Sequence, residues 1–543
     1  MTLAVLLALV AAVLWVGFAA RAALVVARIL QVEEYDVVRT GTWGRRQPWL
    51  FHRSVLVATA VTAVAGIAGA ALPPDARRAL LCAGWAGGSA AGLALWRWLP
   101  PKKALVVTAR MRRLMVAGVL DLALTGCAMA GAALLLPYGL GVIFVVFGVL
   151  CTTSMAVSCA AVAVRVLRPA EARINAGYVR TATARVRELS PEIVAIAGSY
   201  GKTSTKHILG ALLTPSTPTL VTPKSFNTLM GVTRTVNEQL SATQRTFVVE
   251  MDAYDVGEIA SICRVAPPGL AVVTSVGPQH LERFGTVQRI ADALYEVVAA
   301  LPPGGTAVIY AGERESRRLA DRAARAGVRV VRYGMEGDGE LEVTASQLRV
   351  DPAGSHFRVR WAAEAVDVSV NLPLLGSHQV LNTAAALAVV RLLGHDLEAA
   401  VGATATLEPV PHRLQPVPTA NGITVIDDSY NANPVGVHNG LDVLAAMPPG
   451  QRILVTPGLV ELGPLEEAEN RRYGAHAARV CDQVIVVSSR PGVAVLAGLR
   501  EGGLDAARVH EVASLAGATE AIGRLARPGD CVLFANDLPD TYL

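Results

Sequence analysis

Up to about residue 165 the hydrophobic positions fall in long unbroken blocks. Beyond residue 190 they fall in short blocks separated by polar, helix-like stretches. Five apolar runs occupy the first part: Leu3–Ala20, Val55–Leu72, Leu80–Leu95, Leu114–Leu136 and Leu140–Val164. A helix needs about 20 apolar residues to cross ~30 Å of hydrocarbon. The pattern therefore predicts an α-helical membrane domain of about five helices over residues 1–168, the third helix being the shortest. The first run has no basic flank before it, unlike a secretory signal, and reads as a retained helix. The charged stretch NAGYVRTATARVREL predicts a linker helix within 169–190, near the membrane surface. From Glu192 short apolar strands alternate with helical stretches, which predicts α/β units with parallel sheets.

Charge sharpens this division. Residues 1–170 hold 16 Lys and Arg against 5 Asp and Glu, whereas the remainder holds 33 against 39. The basic residues flank apolar runs and form no patch, which excludes a nucleic-acid binder. Two connecting segments carry most of them: Arg21, Arg28, Arg39, Arg45, Arg46 and Arg53 in one, and Arg97, Lys102, Lys103, Arg110, Arg112 and Arg113 in the other. The positive-inside rule puts both in the cytoplasm and the first residue outside. The chain is then expected to be a multi-pass membrane protein in contact with membrane lipid, its later domains on the cytoplasmic side. Asp121 is the one acid well inside a run; such a carboxylate is a functional candidate by default, but it sits about two turns from the basic loop and reads as a snorkelling or interhelical structural residue. Seven cysteines without a CxxC pair indicate neither a disulfide framework nor a zinc site.

The first α/β unit is EIVAIAGSYGKTSTKHILGALL. An apolar strand runs into Gly198, Ser199, Tyr200, Gly201, Lys202, Thr203 and Ser204 and then into a helix. This is the logic of a P-loop: glycines let backbone N–H groups wrap phosphate oxygens, Lys202 meets the outer phosphates, and the Thr203 hydroxyl reaches Mg2+. The chain has only five lysines, and Lys202 is one of them. Glu250 ends the strand TFVVE at the edge where open α/β sheets place ligands, and a carboxylate there is a hard oxygen donor for magnesium. His280 follows the strand AVVTSVG in the same layer, Arg413 could clamp a phosphate bidentately, and Asp428 precedes the loop Ser429–Pro434.

These blocks resemble the Mur ligase family, ATP-dependent enzymes that add amino acids to peptidoglycan precursors. Within it they are most similar to the branch that adds D-alanyl-D-alanine. The resemblance runs from about Glu192 to the end and rests on AGSYGKTSTK, TPKSFNTLMGV, VVEMDAYDVGEIA, SVGPQHLERFG, GSHQVLNTAAALAVV, PHRLQPV and IDDSYNANP. It implies a P-loop central domain over 191–408 and a Rossmann-like C-terminal domain over 409–543. It implies ATP and Mg2+ as cofactors, with Thr203, Glu250 and His280 as metal ligands. Asn382, Arg413 and Asp428 would join the P-loop in holding nucleotide, and Asn227, Thr228, Asn431 and Asn433 would face the substrates. The implied reaction phosphorylates a substrate carboxylate and lets an amine attack the acyl phosphate, with Lys202, Glu250, His280 and Arg413 as the catalytic set. The implied partners are a cell-envelope precursor and an amino acid or dipeptide. The precursor is a muropeptide, its lipid-linked form, or a capsular polymer such as poly-γ-glutamate.

Three departures stand out. The membrane domain replaces the family's N-terminal UDP-sugar-binding domain. Leu294 stands where these ligases usually carry a lysine modified to a carbamate, and no lysine occurs after Lys224. The chain ends FANDLPDTYL, without the Lys-Gly-Ser-Arg type of ending. They leave a rival reading, a membrane protein using a degenerate ligase module to bind nucleotide for regulation or transport. The sequence carries no signal of oligomeric state.

Overall fold

A computed structural model describes residues 2–46, 52–96, 104–351, 353–363, 366–409, 411–419, 421–429, 432–447 and 450–536. They divide into two compact units, residues 1–174 and residues 175 onward. The first unit is helical: α1 (Thr2–Val32), α2 (Val37–Arg46), α3 (Arg53–Gly69), α4 (Pro74–Leu95), α5 (Ala109–Leu135), α6 (Tyr138–Leu150) and the start of α7 (Thr152–Leu189). Among the described helices, Leu3–Val32 and Ala109–Leu135 are long and apolar enough to cross a membrane, and α3 is a shorter apolar helix. Their outward faces stay apolar, with Val64, Ile67 and Leu124 well exposed. Such apolar surface marks an interaction site or a lipid-facing wall. Helices α3 and α4 meet through small residues: a Cβ on Gly88 would lie 2.5 Å from the Ala58 carbonyl oxygen, so only glycine permits that approach.

The last apolar run departs from its sequence-based expectation. Leu140–Val164 is not one helix but two, α6 and α7, which differ by 73° at Cys151. The Thr152 hydroxyl, fully buried, donates to the Val149 carbonyl at 2.7 Å and accepts from Trp15 Nε1 at 2.9 Å. A side chain bonding into the backbone ladder is a recognised cause of such a break. The expected linker helix is consequently no separate element. It is the continuation of α7, which runs on to Leu189 through Pro169. Basic positions Arg97, Lys102 and Lys103 lie outside the described residues.

The second unit carries two sheets. The first has nine strands: β1 (Glu192–Ala197), β2 (Thr219–Val221), β3 (Thr246–Glu250), β4 (Leu270–Val273), β5 (Thr306–Tyr310), β6 (Arg329–Met335), β7 (Val343–Asp351), β8 (Gly354–Trp361) and β9 (Val366–Leu372). Their order is β2-β3-β1-β4-β5-β6-β7-β8-β9. Pairing is parallel as far as β7, as the alternating pattern predicts, and antiparallel beyond it. The two connections after β7 are too short for a crossover helix. Helices of this domain are α8 (Lys202–Leu213), α9 (Leu229–Gln239), α10 (Glu258–Val265), α11 (Leu281–Phe284), α12 (Val287–Ala299), α13 (Arg314–Arg325), α14 (Ser377–Leu392) and α15 (Leu397–Thr404). Apolar cores form on both faces of the sheet, and α14, built from TAAALAVV, is buried almost throughout.

The second sheet has six strands: β10 (Gln415–Pro418), β11 (Thr424–Asp428), β12 (Arg452–Thr456), β13 (Gln483–Val487), β14 (Val509–Val512) and β15 (Cys531–Ala535). Their order is β10-β11-β15-β12-β13-β14, all parallel except β10. With α16 (Pro434–Ala445) and α17 (Glu466–Val480) against it, the C-terminal region is an α/β domain on a mostly parallel sheet. In the first sheet β1 lies between β3 and β4, so the chain leaves β1 toward one side and later crosses to the other. A crevice opens at such a switch point, beyond the carboxyl ends of the strands.

Candidate active site

The loop leaving β1 shows why glycine is required there. Gly198 has φ 147° and Gly201 φ 82°, a region that costs other residues strain. A Cβ on Gly198 would run into the Thr274 hydroxyl, and one on Gly201 would stand 2.5 Å from Asn382 Oδ1. Ser199 donates from its hydroxyl to the Gly277 carbonyl at 3.0 Å, and the Tyr200 N–H donates to Ser275 Oγ at 2.7 Å. The Tyr200 ring packs on Gly277, and burial pushes its hydroxyl pKa up. Lys202 is buried at the start of α8. Its Nζ donates to the Gly198 carbonyl at 2.5 Å and to Gln279 Oε1 at 3.3 Å, and it pairs with Asp252 Oδ1 at 3.2 Å.

Next to it sits Glu250, 1% exposed. Its Oε1 accepts from Thr203 Oγ1 and from Asn227 Nδ2, each at 3.0 Å. Its Oε2 pairs with Lys206 Nζ at 2.8 Å, and that ammonium also donates to the Lys224 carbonyl at 2.6 Å. Burial alone would raise the Glu250 pKa. Lys206, Lys202 and the Asn227 amide outweigh burial and hold the carboxyl below its ordinary value. Lys224 itself has φ 48° and an exposed side chain. Thr203 Oγ1 and Glu250 Oε1 are hard oxygen donors side by side. Magnesium takes such donors, with few carboxylates and the remainder from phosphate and water, so this pair fits Mg2+.

Of the three metal ligands expected from sequence, Thr203 and Glu250 are in contact, and His280 lines a small cavity with Gly198 and Ser199 of the same loop. His280 Nδ1 meets Glu461 Oε2 at 2.9 Å, and its ring packs edge-on against Tyr254, whose face carries the Arg283 guanidinium at 3.7 Å. Among the described residues no three His, Cys, Asp or Glu side chains gather to hold a metal. Glu461 comes from the C-terminal domain, on the loop after β12. Leu294 lines the same small cavity as Asp252, Gln279 and His280, so the position named by the sequence comparison does face the site, with an apolar side chain. The two acids flanking it on α12 serve elsewhere. Asp292 pairs with Arg322 at 2.7 Å, and Glu296 accepts from the Gly257 and Ala260 N–H groups, capping α10.

A second cleft lies between the P-loop side and the C-terminal domain. It brings together Tyr200, Gly201, Ser204, Asn382, Arg413, Asp428 and Asn433, all expected at the nucleotide or substrate. Asn382 Oδ1 accepts from the Thr205 hydroxyl at 3.1 Å, fixing α14 against α8. Burial pushes the Asp428 carboxyl up to about 7. The Leu414 N–H and Arg413 pull it down and Asp427 pushes it further up. Burial, and then Arg413, lower His378 in the same cleft to about 4, and its Nδ1 has no hydrogen-bond partner. Two expected substrate residues have structural work: Thr228 caps α9 and Asn433 caps α16. Asn431 lies outside the described residues.

The sequence reading missed Lys206, Asp252, Gln279, Glu461 and His378. Lys206 was traceable, because Lys202 and Lys206 are four apart and share a helix face. Glu461 carried no local signal.

The architecture and cleft are those of a ligase fold built from a central and a C-terminal α/β domain. Family profiles match in the same order: the Mur ligase middle domain over residues 196–390, and the Mur ligase, glutamate ligase domain over residues 412–536. The UDP-N-acetylmuramoyl-tripeptide–D-alanyl-D-alanine ligase of Mycobacterium bovis is 34% identical over 339 residues, covering 60% of this chain and 64% of that relative. The enzyme of the same name from Mycobacterium leprae is 32% identical, covering 63% and 70%. The crystal structure of a MurF ligase from Thermotoga maritima in complex with ADP superposes with a TM-score of 0.60 at 25% identity, covering 67% of this chain and 80% of that one. The chain belongs to the Mur ligase family. It spans somewhat less than two thirds of the Mycobacterium bovis relative's length, and both family profiles match within its second unit.

Proposed function

We propose that this protein is a membrane-anchored, MurF-like ligase that uses ATP and Mg2+ to join an amino acid or dipeptide to a cell-envelope precursor. The observation that carries the reading is the Thr203–Glu250 oxygen pair, 3.0 Å apart, beside the P-loop lysine. Magnesium held there would bring Lewis-acid stabilisation to the transferring phosphoryl group. Lys202 adds positive charge at the same group, and Arg413 approaches from the C-terminal domain. A substrate carboxylate takes the γ-phosphoryl group to become an acyl phosphate, and an amine then displaces phosphate and leaves an amide. The C-terminal domain, docked through Glu461, excludes water that would hydrolyse the acyl phosphate. Names of the relatives favour a muramoyl-tripeptide acceptor and D-alanyl-D-alanine as donor. The apolar, outward-facing helices of the first unit favour a membrane-bound enzyme, catalytic domains cytoplasmic, and so a lipid-linked acceptor as well as a UDP-linked one.

Leu294 favours a second reading, a nucleotide-binding module that has lost catalysis, since a leucine cannot ligate the cation a carbamate would hold. A phosphate-release assay on the detergent-solubilised protein, with ATP, Mg2+ and a panel of muropeptides and amino acids, separates the two. Release that depends on both acceptor and amine supports the ligase. Nucleotide binding without release under every pairing supports the second reading.

A further inference from the structure

Lys206 and Glu250 form an ion pair sealed from solvent: the lysine side chain is 0% exposed, the glutamate 1%, and their charged atoms are 2.8 Å apart. A buried pair of this kind is rarely a source of stability in itself, because desolvation offsets the attraction. Its position is more telling. Thr203 and Lys206 are three apart on α8 and so face the same way, and they divide the carboxylate between them. Oε1 takes Thr203 and Asn227, while Oε2 takes the ammonium. The ammonium is pinned from behind by the Lys224 carbonyl at 2.6 Å, so it cannot swing away.

We infer that Lys206 is a positioning residue that fixes Glu250 as a one-oxygen ligand, presenting Oε1 to a single divalent cation and screening Oε2 from it. This rests on the ligase reading above and adds to it how many cations the carboxylate accepts and through which atom. A fixed cation at that distance repels a second one strongly in a water-poor site. Lys206 therefore weakens Glu250 as a metal ligand while orienting it, which keeps the cation exchangeable with each nucleotide.

The test uses the full-length protein in detergent, with Mg2+ titrated against a fixed amount of a non-hydrolysable ATP analogue, binding and melting temperature being read together. K206M melts lower than wild type in EDTA. It then half-saturates at Mg2+ about tenfold lower or less, because the whole carboxylate is exposed to the cation. The double variant K206M/E250Q regains the melting temperature in EDTA and loses the Mg2+ response. A role limited to tying down Lys224 would instead lower the melting temperature of K206M equally with and without Mg2+, and that result overturns the inference. So does a K206M that fails to fold and is not recovered by E250Q. A wild-type protein that binds neither nucleotide nor Mg2+ overturns the ligase reading itself.

Discussion

The His280 imidazole and the Glu461 carboxylate stand 2.9 Å apart, a contact between residues 181 positions apart in the chain. The Glu282 N–H donates to the Glu461 backbone carbonyl at 3.4 Å, so the same loop is held twice. Glu461 has φ 66°, an uncommon conformation for a glutamate, which persists where surroundings over-determine it. The central domain thus holds the C-terminal one through a residue that shares a cavity with Gly198 and Ser199.

Replacing Glu461 with alanine should therefore act on turnover and spare nucleotide affinity. A hydrogen bond to a charged group contributes about 1.5–3 kcal/mol, so kcat should fall about ten- to a hundredfold. The Kd for an ATP analogue should stay near the wild-type value, since no P-loop contact is lost. An equal loss in both quantities would mean that Glu461 only supports the fold.

Lys202→Ala should remove a charge aimed at the transferring group. Losses for such donors are about 2.7–4 kcal/mol, so acceptor-dependent phosphate release should drop roughly a hundredfold or more. Release at the wild-type rate would rule out this P-loop as the phosphate site.

Asp428 makes stability depend on pH in a stated direction. Its folded pKa, about 7, lies above the ordinary 3.8. Between those values the folded state holds a proton that the unfolded state has released, so stability declines as pH rises from about 4 to about 7 and stays lowered above. Asp428→Asn should abolish that decline and raise the melting temperature at pH 8, a gain on the order of 1–4 kcal/mol. A melting temperature with the same pH dependence as wild type would show that Asp428 ionises normally.

The acids on either side of Leu294 should matter for structure and not for metal. Asp292→Asn loses an exposed pair with Arg322 and should cost about 0–1 kcal/mol. Glu296→Ala loses the cap of α10 and should cost about 1 kcal/mol. Neither should change the Mg2+ requirement of nucleotide binding, measured by titration, and added bicarbonate should not alter activity.

For the first unit, cysteines placed at Gly41 and at Asp75 test the orientation read from loop charge. In intact cells the second should react with a membrane-impermeant thiol reagent and the first should be protected. The reverse pattern would put the ligase domains on the wrong side of the membrane for ATP.

Much of the site was legible because its determinants are local. The glycines at 198 and 201 need conformations that other residues avoid, and Thr203 follows the lysine by rule. A strand-end glutamate falls at the same sheet edge as the loop because β3 pairs with β1 in register, Ile196 opposite Glu250. The contact of His280 with Glu461 was not legible, since that partner comes from another domain and looks like any surface glutamate. The fifth apolar run concealed a bend because hydrophobicity records burial and not backbone direction. What bends it is the Thr152 hydroxyl with Trp15, a contact across 137 residues. The antiparallel end of the large sheet had a usable signal: Val366–Leu372 alternates apolar and polar residues, the mark of a strand with one face in water.

Lysine scarcity gives the Lys224 conformation an experimental use. Of the three described lysines, Lys202 and Lys206 are buried and Lys224 alone projects from the surface, on the segment that leads to Asn227. An amine-selective acylating reagent therefore has almost no other target in this part of the chain. Its modification at Lys224, followed by peptide mass analysis, becomes a one-site footprint of the proposed catalytic face. Because the backbone carbonyl of Lys224 is gripped by Lys206, anything that rearranges Glu250 should also change how fast that single amine reacts.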